Sequence, residues 1–132
     1  MQHSGTPSPA DARTPVQLPG ELKQHMLANM RDHMLALQEI TTGLSQSEFD
    51  KVATIAEERL GVSSGKRHGA HQVAAYMPAG MSQIGGATHQ AASRLALAAQ
   101  DAGVTGDTKP VLAALAEVMI GCVACHGAYR LE

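Results

Sequence analysis

Residues 122–126 read Cys-Val-Ala-Cys-His, and Cys122 and Cys125 are the only cysteines among 132 residues. Two thiols one helical turn apart, followed at once by an imidazole, have the C-x-x-C-H spacing of covalent haem attachment. Each thiol adds across one vinyl group on the same haem edge and leaves a thioether. His126 is then carried under the iron as proximal ligand. Three other readings compete. A redox dithiol has the same C-x-x-C spacing but is expected at a strand-to-helix turn of a βαβ unit. Half a zinc site is another reading, but zinc wants four ligands and the chain has no second C-x-x-C. The third is chance, since five-residue patterns also recur at random.

The composition bears on this choice. A chain of this length makes one domain, and its 44% hydrophobic content predicts a packed core. Phe49, Tyr76 and Tyr129 are the whole aromatic set, beside seven methionines and no tryptophan. Aromatic rings normally dominate core energetics, so this core is either small or short of something bulky. A covalently held haem is a large apolar plate and would supply that bulk. The formal net charge is −2, with both signs scattered along the chain. That pattern excludes the basic footprint of a nucleic-acid binder. No apolar run approaching the ~18 residues of a bilayer span is expected, and residues 1–20 lack the apolar centre of a signal peptide. Covalent haem attachment in bacteria follows export, so the motif predicts a periplasmic chain whose leader has been removed.

Helices must position the motif. Residues 1–19 hold four of the six prolines, among Ser, Thr and Gly, and predict a flexible N-terminal arm. Residues 20–132 then form one helical domain. A first helix is predicted over 20–42, with Gly43 as its C′ residue. A second opens on Ser45-x-x-Glu48, the spacing of a capping box, carries Phe49, Val52, Ile55, Ala56 and Leu60, and stops at Gly61. A Gly- and His-rich connection fills 61–78. The third helix covers 79–102, with Met81, Ile84, Thr88, Ala91, Leu95 and Ala98 on one face and a weak point at Gly85-Gly86. The fourth starts at Asp107 or Thr108 with Pro110 in its first turn, and shows Val111, Leu115, Val118, Met119 and Cys122 as a stripe. No segment shows the period-2 alternation of a strand. Four helices of roughly 16–24 residues, each about 25–35 Å long, predict an all-α antiparallel four-helix bundle around a haem.

With Cys122, Cys125, His126, Tyr129 and Arg130 on the last helix of such a bundle, the chain resembles the class II cytochromes c, the cytochrome c′ family. Their mark is a C-terminal C-x-x-C-H-x-x-[FY]-R, and the resemblance covers roughly residues 20–132. It implies one covalent haem between the helices, His126 as proximal ligand and Arg130 beside the proximal face. It also implies a periplasmic protein with redox partner proteins, often a homodimer through the first two helices. The family holds two functional kinds. In one, a Met from the first helix is the sixth ligand and the protein carries electrons. In the other, an apolar residue blocks the distal face of a five-coordinate haem that binds NO or CO.

The first helix carries the residues that separate these kinds. With Leu22 at zero and 100° per residue, Met26 falls at about 40°, Leu37 at 60°, Met30 at 80° and Met34 at 120°. Arg31, Asp32, Gln24 and Glu39 occupy the opposite side, from about 180° to 280°. The buried stripe is expected near 60°, with Met26 as sixth ligand, Met30 one turn on as the alternative, and Leu27 as the blocker position of the gas-binding kind. Methionine at helical spacing also simply fills cores. A copper-handling reading gathers His25, His33, His68, His71 and His89 with Met26, Met30 and Met34, because imidazole and thioether suit copper. No acid/base pair or nucleophile–base spacing points to an enzyme.

Overall fold

The computed structural model describes residues 10–132. Its elements in chain order are β1 (Thr14–Val16), α1 (Gly20–Ser45), α2 (Phe49–Ile55), α3 (Ala70–Ala74), α4 (Ala79–Thr105), α5 (Lys109–Ala128) and β2 (Tyr129–Leu131). The fold is all-α apart from one short strand pair.

Helix α1 does not stop before Gly43 but runs through it to Ser45. Gly43 is buried there because α2 passes close by: a Cβ would stand 2.7 Å from Val52 Cγ2. The expected capping box does not form. Ser45 Oγ donates to Thr42 O at 2.6 Å, and α2 starts after Glu48 without a side-chain cap. The chain turns instead through Ser47 at φ 55°, with Glu48 N donating to Gly43 O at 2.9 Å. Beyond Ile55 the helix widens into a π turn, Ala56–Leu60, followed by a 3₁₀ turn, Val62–Gly65. The start of α5 follows its sequence signals: Thr108 is the N-cap, Pro110 lies in the first turn, and Lys109 N donates to Asp107 Oδ1 at 3.1 Å.

Two apolar clusters hold these elements. The larger joins Ala36 and Ile40 of α1, Val52, Ala53, Ala56 and Leu60, Ala91 to Ala102 of α4, and Val111, Leu115 and Val118 of α5. Alanines on α4 let neighbouring helices approach closely, and Gly121 of α5 packs directly onto Thr88. The scarcity of aromatics therefore has a structural explanation that needs no inserted plate: short side chains fill this core by bringing backbones together. Within the α5 stripe, Met119 departs from expectation and is 47% exposed, whereas Val111, Leu115 and Val118 are buried.

The smaller cluster gathers Val16, Leu18, Met26, Val73 and Met81, with Leu22, Met77, Cys125, Tyr129 and Leu131 against it. It corrects the reading of the arm. Residues 1–9 lie outside the described residues, but β1 pairs in parallel with β2, Thr14 opposite Tyr129 and Val16 opposite Leu131. Val16 and Leu18, two positions apart, both point inward, and Glu132 N donates to Val16 O at 3.0 Å. A two-residue alternation this short is hidden by the prolines around it.

The expectation about apolar runs also needs correcting. Helix α5 is long and apolar enough to cross a bilayer by length and composition. Here it packs along α4, and its Glu117 pairs with Arg94 at 3.5 Å.

Leu95 has no exposed surface at the centre of α4. Leu95→Ala is expected to destabilise the protein by about 2–5 kcal/mol, because the well-packed neighbours cannot collapse into the space. Urea unfolding followed by circular dichroism measures this, and a loss below about 1 kcal/mol contradicts the packing described.

Candidate haem-attachment site and histidine cluster

Both cysteines are free thiols near the end of α5, half-buried, one turn apart. With Val111 at zero, Cys122 falls at about 20° and Cys125 at about 320°, the side that packs on α4 and the smaller cluster. His126 falls at about 60°, on the edge of that side, and is exposed. Beyond it lie Met119, Val123 and Ile120, at about 80°, 120° and 180°, exposed by 47%, 72% and 66%. A groove along this face is lined by Ala116, Met119, Ile120, Val123 and Ala124, with no polar group in its lining. Two thiols and an imidazole within about one turn are the donor set that a thioether-held group needs, with the thiols on the packed side of α5 and the imidazole at its border.

The electrostatics weigh against a redox dithiol. Reactive C-x-x-C pairs need a thiolate stabilised by a helix N-terminus or nearby cations. Here burial pushes both thiols up, and Cys125 is raised further by the charge of Cys122. Their place at the C-terminal, negative end of a helix dipole acts in the same direction.

The sequence-predicted residues are placed as follows. Met26 is buried, 8% exposed, in the cluster that Cys125 packs against. Met30 and Leu27 are half-buried on α1, and Met34 is 69% exposed. The buried side of α1 is thus centred nearer Ile40 than Leu37, because Asp32 and Glu39 both turn to Arg59 on the π turn. Arg59 Nη2 meets Asp32 Oδ1 at 2.7 Å, and Nη1 binds Glu39. Arg130 lies in β2, its Nε 3.9 Å from Asp11 Oδ2 and its Nη1 3.6 Å from Glu132 Oε1. Arg13 Nη1 donates to His126 O at 3.3 Å. Sequence reasoning missed this strap of residues 11–18 over the motif.

Of the histidines, three converge. His33 Nε2 of α1 stands 3.2 Å from His68 Nε2 in the connection. The His68 ring stacks at 5.8 Å, centroid to centroid, on His89 of α4. His68 is 7% exposed, and its Nδ1 is buried without a partner. Asn29 Nδ2 donates to its carbonyl at 3.0 Å. His89 Nδ1 donates to Leu60 O at 2.7 Å. Burial and the neighbouring His68 and His89 hold His33 down to about 4; burial and His89 lower His68 too. His71 is exposed, apart from this cluster. Gly69 follows His68 at φ +62°, where a Cβ would meet His25 Nε2 at 2.9 Å.

No protein-family model, curated protein or solved structure matches this chain.

In the haem-free chain, the raised thiols are expected to alkylate more slowly at neutral pH than a free cysteine. Iodoacetamide labelling followed by mass spectrometry should show the rate climbing only above the ordinary thiol range; a midpoint near neutrality contradicts this.

Proposed function

We propose that this chain is a c-type cytochrome of the class II kind, carrying electrons through one covalent haem. Cys122 and Cys125 would hold the haem by thioethers, with His126 as the proximal ligand. The observation that carries the reading is His126, exposed at the edge of an apolar face of α5, with two free thiols beside it. When bound, the haem supplies a one-electron iron couple. Of the apolar residues on α5, Met119, next to His126 around the helix, would lie nearest the haem. The strap would fix the end of α5 through Arg13 and the β1–β2 pair. Residues 20–132 would act as one antiparallel four-helix unit, with a periplasmic location, redox partner proteins, and self-association through α1 and α2 following from the family resemblance.

The attachment is tested on protein produced with a haem-maturation system. Its denatured mass should exceed the polypeptide's by one haem, and Cys122→Ala with Cys125→Ala should lose that mass. Haem that extracts freely into acidic organic solvent would overturn the reading.

Met26 is proposed as the sixth ligand, with Met30 one turn on as the alternative. Met26→Ala should then convert a low-spin spectrum to high spin and open the iron to CO. One observation favours the five-coordinate, NO- or CO-binding reading: Met26 is sealed among Val16, Leu18, Val73 and Met81, while His126 faces outward. A wild-type spectrum already high spin and CO-responsive selects that reading; an unchanged spectrum in Met26→Ala removes Met26 as ligand.

A further inference from the structure

The three converging histidines, His33 midway along α1, His68 in the connection and His89 on α4, lie outside the C-terminal motif. Their geometry points to a second, haem-independent site: a divalent transition-metal ion held between His33 Nε2 and His68 Nε2, with His89 as third ligand. Two imidazoles on one tetrahedral ion, each about 2.0–2.1 Å from it, stand about 3.3–3.4 Å apart. The observed separation is 3.2 Å. Two Nε2 atoms this close share one proton at most, and His68 Nδ1 has no partner. His68 Nδ1 stays unmet in either tautomer, and as N–H it stays unmet with an ion on Nε2 as well; what an ion answers is the facing of two Nε2 atoms. An ion between the two Nε2 atoms uses both lone pairs at once.

His89 is prepared for the same role. A carbonyl cannot donate, so the contact to Leu60 O puts the proton on His89 Nδ1 and leaves the Nε2 lone pair free. Ser64 Oγ, which donates to Gly61 O at 2.6 Å, lies 3.4 Å from the same Nδ1. A backbone oxygen on the far ring nitrogen is the usual way a ligating histidine is oriented. Among the described residues no three such side chains form a finished ligand set; for His89 to complete one, its ring must turn from the 5.8 Å stack on His68 toward the pair. Three neutral imidazoles suit zinc or copper(II). Met26 belongs to the smaller cluster and Met34 is exposed, so neither thioether is placed at the pair. The ion would tie together α1, the connection before α3, and α4.

Zinc(II) titrated by calorimetry into the full-length, chelator-stripped protein tests this. One ion per chain is expected. His33→Gln and His68→Gln should each weaken binding by at least the ~10–100-fold that loss of even an outer-shell partner costs, while His71→Gln should not change it. Because His68 is buried, the wild type supplies a second readout. Side-chain ¹⁵N spectra should shift at the Nε2 atoms of His33, His68 and His89 when zinc is added. No saturable binding overturns the proposal. So does binding that survives His33→Gln but vanishes in Cys122→Ser/Cys125→Ser, which would assign the ion to the C-terminal motif.

Discussion

Close helix approach along α4 is the constraint on which the rest of the molecule depends. Ala92, Ala96 and Ala99 offer almost no side chain to hold the neighbours off, and Leu95 fills the space left between them. Packing at that distance costs little rotamer entropy, since alanine has none to lose. It also demands small partners, which is why Gly121 of α5 faces Thr88. The contact fixes the rotation of α5 about its own axis. Once Val111, Leu115 and Val118 are committed to α4, the thiols of Cys122 and Cys125 must follow on the same side. His126 is then left at the edge of that side, and the bare face of Met119, Val123 and Ile120 is turned away.

Much of the helical layout was legible from the chain. Pro110 behind Thr108 marked the start of α5, and the period of Met81, Ala91 and Leu95 marked the inward side of α4. Local signals failed where tertiary contact decided. Gly43 reads as a helix end, yet its lack of a side chain is used to admit Val52. Ser45 and Glu48 have capping-box spacing, yet α1 runs on and takes Ser45 into its own last turn. The strand at Thr14–Val16 was invisible because its partner lies more than a hundred residues away and prolines surround it. At the site, the motif could be read and its rotation could not. Sequence spacing puts Cys122 and Met119 on one stripe, whereas packing on α4 separates the half-buried thiol from an exposed Met119.

The two clusters are built from different kinds of element. The larger one is continuous, aliphatic and built from four elements. The smaller one is assembled from chain ends and turns: Val16 and Leu18 from the strap, Val73 from the five-residue α3, Tyr129 and Leu131 from β2. Short elements have few internal hydrogen bonds, so their order comes from this apolar contact and the β1–β2 pair. Met26 of α1 and Met81 of α4 anchor these short elements to the long helices.

The Arg59 network ties these parts to the histidines. Arg59 sits on the π turn, where the wider coil displaces its side chain toward α1, and it engages Asp32 and Glu39 together. Its side chain is 15% exposed against 37% for each carboxylate, so the guanidinium is the desolvated member and the acids keep part of their water. Asp32 immediately precedes His33. Holding Asp32 with a bidentate grip, through Nε at 3.4 Å and Nη2 at 2.7 Å, sets the rotation of α1 at that turn. Rotation then decides which neighbour meets the connection: with Asp32 turned to Arg59, His33 is directed at His68. The same rotation carries Met34 out to solvent and leaves Met26 inside.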